Sequence, residues 1–285
     1  MFMLLAFKFG NVFGTSFERS FFGVYRTSIE QGGQFRVLSH GTTVHGAMRV
    51  ANEDGSLYTG PADPLTYYHK QGSLAETLNL LPANSAGRDI AIVGLGTGAQ
   101  ACNGSAGDRF TFFEIDQLVV KIALDKSKFR FMSECAPKAK IVLGDARLTL
   151  TEQPATYDYL MLDAFSSDSI PVHLLTREAL QLYMQRLKEN GLLVIHISNR
   201  NLELQSVIAA LAQDAGLSIK AIPVKPIASG FANKFPAAVA VLAKKPETLN
   251  VFTQQNGWLN PPTNNVAVWT DDYSNIISAL WRNFF

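Results

Sequence analysis

Cysteine is scarce in these 285 residues: there are two, Cys102 and Cys135. They lack the spacing of zinc ligands and neither belongs to a Cys-x-x-Cys pair. A structural metal and a dithiol redox centre are thereby excluded, and a reducing, cytoplasmic compartment is expected, with both thiols as small core or loop residues. An excess of charge is missing too. Twenty-five Lys and Arg against 24 Asp and Glu leave a formal net charge of +1, so no global field recruits nucleic acid or an acidic membrane surface. Any charged partner has to be recognised locally. Charged residues make up only 17% while hydrophobic residues reach 47%, which argues against disorder and for a chain that buries a substantial core. No internal repeat or low-complexity tract is present.

A long hydrophobic run is also absent. The opening segment MFMLLAFKFGNVFG is apolar but broken by Lys8 and Gly10, short of the roughly 20 residues of a membrane span. It has neither the basic start nor the small-residue cleavage site of a signal peptide. Two readings of residues 1–19 stay open: a packing or interfacial segment, or the remnant of a longer membrane-attached protein.

What is present changes period along the chain. Between about Ser20 and Tyr68 the segments SFFGVYRTSIE, QFRVLSHGTTVHGAMRV and GSLYTG read as short strands separated by glycine-containing turns. A small, mostly antiparallel β-domain over residues 20–75 is expected. Apolar strands then alternate with helical patterns: RDIAIVGL, a helix near Gly98 to Ser105, RFTFFEID, QLVVKIALDKS, AKIVLGDA, YDYLMLDAF, TREALQLYMQRLKEN, GLLVIHIS and LELQSVIAALAQDAG. Strands apolar throughout and interleaved with helices imply a parallel sheet covered on both faces. LSIKAIPVK and AAVAVLAKK close the pattern without a helix between them, so the last strand is expected to run antiparallel. Residues 76–285 are expected to form this second domain.

The first parallel strand empties into Gly94-Leu95-Gly96-Thr97-Gly98. A glycine turn between strand and helix lets backbone approach a ligand at the carboxyl edge of the sheet, where α/β folds bind nucleotides. Glu114 ends the next strand, 20 residues after Gly94, where a carboxylate can accept both ribose hydroxyls. The third strand ends in Gly144-Asp145-Ala146, which puts Asp145 in reach of an adenine amino group. Singly, Glu114 reads equally as a surface residue and Asp145 as a helix cap. Three strand ends in order favour a nucleoside site. Glycines at every second position depart from the dinucleotide fingerprint G-x-G-x-x-G.

The glycine loop, Glu114 and Asp145 look like the successive motifs of S-adenosylmethionine-binding domains. YDYLMLDAFSSDSIPVHLLTREAL narrows the likeness: it resembles the active-site segment of spermidine synthases, the polyamine aminopropyltransferases, with Asp163 and Asp168 as its two acids. FRVLSHGTTVHGAM and DPLTYYHKQG resemble that family's amino-terminal strand-turn and Asp-x-x-x-Tyr-His segments. The resemblance runs from about Ser20 to Ala243, and is closest to the spermidine-synthase-like domains attached to membrane segments. It implies a small N-terminal β-domain followed by a methyltransferase-like Rossmann domain, with a mostly parallel seven-stranded sheet whose last strand is antiparallel. It further implies S-adenosylmethionine or its decarboxylated form as co-substrate, no metal, a polyamine acceptor such as putrescine, and a homodimer. By resemblance Asp163 orients the attacking amine and accepts or relays its proton, and Asp168 is a second anionic anchor. Tyr68 and His69 are the candidates to share the proton work, with Tyr67 as the rival register. Gly94, Gly96, Thr97, Gly98, Glu114, Asp145, Ala146, His45 and His69 are the expected nucleoside contacts. His173 and His196 read as ordinary structural histidines.

One position departs from the family. Its glycine loop usually carries an Asp that binds the amine of the decarboxylated donor and repels an intact carboxylate; Thr97 stands there. Methyl transfer, cleavage of the donor, or a non-catalytic nucleoside-binding module are the alternatives on the same fold. Asp271 and Asp272 beside Trp269 and Tyr273 could hold a polyamine by charge and cation–π contact, or cap a helix through Thr270 or Asp271. The loop PIASGFANKFP could cover the site.

Overall fold

The computed structural model describes residues 14–153, 156–164, 171–224 and 233–284. The apolar start, Asp168 and most of the PIASGFANKFP loop lie outside them. Four strands form the first sheet in the order of the chain, all antiparallel: β1 (Ser16–Ser20), β2 (Gly23–Glu30), β3 (Phe35–His40) and β4 (Thr43–Arg49). Two details differ from the sequence reading. SFFGVYRTSIE is broken by a turn at Phe21 and Phe22, after which Gly23 adopts φ +143°. GSLYTG makes a single bridge among the described residues, Ala51 to Leu57.

The second sheet has seven strands in the order β10, β11, β9, β8, β5, β6, β7. Its strands are β5 (Asp89–Val93), β6 (Arg109–Glu114), β7 (Lys140–Leu143), β8 (Tyr157–Leu162), β9 (Leu187–His196), β10 (Ser218–Ile222) and β11 (Val239–Ala243). β5 to β9 are mutually parallel, and β11 inserts antiparallel between β9 and β10. This is the mixed sheet expected, with the antiparallel strand last. β9 begins at Leu187, so Lys188, Glu189 and Asn190 belong to a bulged strand start and not to the preceding helix.

Alternate strand residues feed two cores. Ile90, Ile92, Phe112, Met161 and Val194 point to one face, joined by Leu74 and Leu78 of α1 (Ser73–Leu80), Val119 and Ile122 of α2 (Gln117–Leu124) and Phe131 of α3 (Phe131–Cys135). Ala91, Val93, Leu160 and Ile195 point to the other, with Leu150 of α4 (Ala146–Thr151), Leu180 of α5 (Arg177–Arg186) and Val207 of α6 (Gln205–Asp214). Tyr25, Leu38 and Met48 of the small sheet join the first core, so the two sheets share buried apolar contact. Two short helices complete the chain, α7 (Asn250–Thr253) and α8 (Ile276–Phe284). No helix among the described residues is long and apolar enough to cross a membrane.

The expectation of two reduced thiols is corrected. Cys102 and Cys135 form a disulfide that ties the 3-10 turn Ala99–Asn103, directly after the glycine loop, to the end of α3. Residues 33 apart in sequence meet because Gly98 packs on Met132, where a Cβ would come within 2.5 Å of the sulfur. Such a bond persists where the surroundings are oxidising. Closing a loop of this length stabilises by about 3–4 kcal/mol on the chain-entropy account. The double variant Cys102→Ser/Cys135→Ser is therefore expected to melt roughly 10 °C lower. Differential scanning calorimetry with and without reductant checks this; an unchanged transition would contradict the crosslink's role.

Candidate functional site

The carboxyl ends of the parallel strands lie along one edge. Val93 pairs with Phe113 and Leu162, Glu114 with Leu143, and Leu162 with Ile195. The residues at or just past the strand ends, Gly94, Glu114, Asp145, Asp163 and His196, therefore come to the same rim. The ladder continues past the strands, Asp163 N–H donating to the Val93 carbonyl (2.8 Å) and Gly94 N–H to that of Phe113 (2.8 Å).

The glycine turn is held on both sides by backbone. Gly94, at φ +97°, lies so close to the end of β8 that a Cβ would sit 2.4 Å from the Asp163 carbonyl oxygen. At Gly96, φ +52°, the His45 carbonyl of β4 is 2.9 Å from the corresponding point. Close chain packing, as well as approach to a ligand, thus requires these glycines.

Two cavities flank this turn and share His45 and Asp163. The larger, about 340 Å³, is bounded by Gly94, Gly96, Glu114, Asp145 and Ala146 on the large sheet. Across it stand Phe22, Tyr25, Leu38 and His40 from the small sheet. The smaller, about 180 Å³, is lined by Tyr67, Tyr68, His196, Ser198, Asn199 and Arg200 among others. Asp163 is the one carboxylate among its described lining residues.

Glu114 is buried, its Oε2 accepting from Leu95 N–H and its Oε1 from Asp116 N–H, both at 2.9 Å. Glu114 also lines the larger cavity, where a carboxylate suits a vicinal diol. Burial pushes its carboxyl above the ordinary range. Asp145 caps α4, accepting from Arg147 N–H at 2.8 Å, and His173 Nε2 lies 3.4 Å from its other oxygen. Tyr25 stacks near His40 at 4.8 Å between ring centres, and its phenol is pushed strongly up by burial and by Asp116.

Asp163 is the joint of the site. Tyr68 donates to its Oδ2 at 2.6 Å, and His196 Nδ1 lies 2.7 Å from its Oδ1. Tyr68 is presented by Asn103, whose amide donates to the Tyr68 carbonyl at 2.8 Å. Burial beside the carboxylate pushes the Tyr68 phenol well up, so it stays protonated and donating.

Of the residues singled out in the sequence, Gly94, Gly96, Glu114, Asp145, Ala146, His45 and Asp163 line the larger cavity, and Tyr68, His45 and Asp163 the smaller. Tyr67, the rival register, also lines the smaller. Thr97, Gly98 and His69 are absent from both described linings. The buried Thr97 hydroxyl turns toward Gly46, where a Cβ would come within 2.2 Å of it, and finds no hydrogen-bond partner among the described residues. Asp271 neither caps a helix nor reaches either cavity. It pairs with Arg147 at 2.5 Å and accepts from Thr176 at 2.7 Å, while Trp269 is buried in the second core. Phe22, Tyr25, Leu38, His40 and Ser198 escaped the sequence reading, and His173 and His196, read there as structural histidines, line the larger and the smaller cavity. For His196 a signal existed, since it ends a parallel strand as Asp163 does. No group of three or more metal-ligating side chains is gathered among the described residues.

A profile of the spermine/spermidine synthase domain matches residues 74–227. A polyamine aminopropyltransferase of Vibrio vulnificus (strain CMCP6) is 31% identical over 143 residues, 48% of this chain and 46% of that protein. An N-terminal histidine N-methyltransferase of Emericella nidulans is 32% identical over 129 residues, 43% of this chain and 22% of that protein. The matched stretch spans less than half the length of either relative. Among solved structures, a probable spermidine synthase from Corynebacterium glutamicum ATCC 13032 superposes with TM-score 0.65 at 14% identity, covering 91% of this chain and 97% of that one. A spermidine synthase in complex with the transition-state analogue AdoDATO gives TM-score 0.52 at 14% identity, covering 93% and 82%. At such identity the likeness is one of fold.

The packing at Gly94 has a measurable consequence. Gly94→Ala adds both left-handed strain, about 1–3 kcal/mol, and a collision with the Asp163 backbone. Gly55→Ala, at φ +82° with open space around it, adds strain alone. Urea unfolding is expected to show the larger loss at Gly94; equal losses would refute the tight contact.

Proposed function

Since the chain belongs to the spermine/spermidine synthase domain family, we propose that it is an aminopropyltransferase. It moves an aminopropyl group from (decarboxylated) S-adenosylmethionine to a polyamine such as putrescine and releases methylthioadenosine. The observation that carries this reading is the position of Asp163, a buried carboxylate shared by the walls of two adjoining cavities. The larger cavity fits an adenosyl group by its chemistry: Glu114 for the ribose hydroxyls, Asp145 for the adenine amino group, and the Tyr25 and His40 rings beside them. The smaller cavity takes the amine.

The reaction is an in-line displacement at the carbon next to a sulfonium, and the amine must arrive neutral. With an alkylamine pKa near 10.4, removing its proton at pH 7 costs about 4.6 kcal/mol. Asp163 accepts N–H bonds from the amine and aligns its lone pair, while Tyr68 fixes the orientation of the carboxylate. Asp168, outside the described residues, is proposed as the second acid of the acceptor side.

A second reading, methyl transfer from intact S-adenosylmethionine, is favoured by Thr97. With a neutral side chain turned to Gly46, the glycine loop has no acid at that position to hold an aminopropyl amine or to reject a carboxylate. Incubation with each donor, with and without putrescine, followed by mass identification of products, separates the two. Amine-dependent methylthioadenosine is expected, lowered at least 100-fold in kcat/KM by Asp163→Asn. S-adenosylhomocysteine would install the second reading, and no product from either donor would refute both.

Glu114 supplies a further check. Glu114→Gln is expected to weaken methylthioadenosine binding by about 1.5–3 kcal/mol, roughly ten-fold or more, as a hydrogen bond to a charged acceptor is lost. In the parent protein affinity should fall as pH drops through the raised Glu114 pKa, because only the ionised form accepts at every lone pair. Calorimetric titration between pH 4 and 8 should show that acid limb in the parent and not in the variant.

A further inference from the structure

β9 ends in a histidine with both ring nitrogens engaged. His196 Nδ1 lies 2.7 Å from Asp163 Oδ1, and Nε2 lies 2.9 Å from Ser198 Oγ. The neighbours fix which way each proton points. Asp163 accepts from Tyr68 on its other oxygen, and a carboxylate has no proton to give, so His196 Nδ1–H donates to Asp163. Ser198 Oγ accepts the backbone N–H of Ala238 at 2.8 Å, which leaves its own proton available to His196 Nε2. His196 thus turns Nδ1 to the carboxylate and Nε2 to one hydroxyl, and both His196 and Ser198 line the smaller cavity. The imidazole itself is buried, at 3% exposure.

We propose that the amine's proton leaves through Ser198 to His196, with Asp163 serving as the counter-ion that holds the imidazolium. This rests on the reading of group transfer to an amine. The amine lone pair forms the new N–C bond as the C–S bond breaks, and that electron pair stays on sulfur as a neutral thioether. Beforehand, one proton of the arriving ammonium passes to Ser198 Oγ while the hydroxyl proton of Ser198 passes to His196 Nε2, which frees that lone pair. A secondary ammonium and an imidazolium–carboxylate pair result, so the two positive charges of the arriving ammonium and the sulfonium are conserved, and His196 later releases its proton to water. Imidazole is in general more basic than carboxylate by roughly 2.6 pK units in model compounds. Asp163, already accepting on both oxygens, is better used to stabilise charge than to bear the proton. Among the described residues, the titratable and charged groups that line the smaller cavity with His196 are Asp163 after β8, Tyr67 and Tyr68 from the segment before α1, His45 from β4 and Arg200 after β9.

His196→Gln discriminates proton uptake from mere positioning, because an amide N–H still donates to Asp163 while the base is gone. The expected result is a roughly 100-fold fall in kcat at pH 7, an unchanged KM for the sulfonium donor, and a deficit that shrinks toward pH 10 as the amine arrives neutral. Ser198→Ala should show the same pattern, and Ser198→Thr should restore most of the rate. A glutamine variant with the parent's kcat, or one with a deficit equal at every pH, would overturn the proposal. Histidine-selective 15N NMR of the parent, assigned with His196→Gln, supplies an arm that needs no turnover. It should show Nδ1 protonated and Nε2 bare, and the reverse tautomer would overturn the proton path. Absence of any amine-dependent product in the parent would instead refute the group-transfer reading, leaving the NMR result to decide the wiring.

Discussion

The hydrogen bonds converging on Asp163 are what the site depends on. The residue is placed by β8, but its carboxylate is set by two groups from elsewhere in the chain: Tyr68, from the connection that leaves the small sheet, and His196, from the end of β9. Each donor is buried, so losing either would leave a desolvated acceptor short of a partner. Because Tyr68 is itself held by Asn103 in the turn after the glycine loop, the carboxylate, the glycine turn and the small sheet form one mechanical unit.

That unit explains why the small sheet is present. Phe22, Tyr25, Leu38 and His40 close the side of the larger cavity that the parallel sheet leaves open. They share a core with the large sheet through Tyr25, Leu38 and Met48. Gly23, at φ +143°, lets His40 pack against β2, and Gly46, at φ +154°, lets β4 approach Thr97.

Much of the rim was readable beforehand because parallel strands separated by helices must end on one edge, in an order that apolar runs disclose. Glu114 and Asp145 follow from that rule, while Asp163 was picked out by the resemblance of its segment to spermidine synthases. His196 obeys it equally, yet a histidine closing an apolar strand has no spacing that marks it out, and its carboxylate partner Asp163 is 33 residues away. Tyr25 and His40 were unreadable for another reason: the alternation of a half-buried strand says which side chains share a face, but not which other sheet that face meets. Lys188, Glu189 and Asn190 continued a helical pattern in sequence, and pairing with β8 overrode it. Two cysteines without a motif carried no sign of their bond, since only the packing of Gly98 on Met132 brings them together.

The crosslink also changes what the chain is, covalently. Cys102 and Cys135 close a ring that contains β6, Glu114 and α2. A single proteolytic cut within that ring leaves one molecule on a non-reducing gel and two fragments once thiol is added. The segment carrying Glu114 is therefore tethered at both ends, and backbone scission there opens a loop without shedding it.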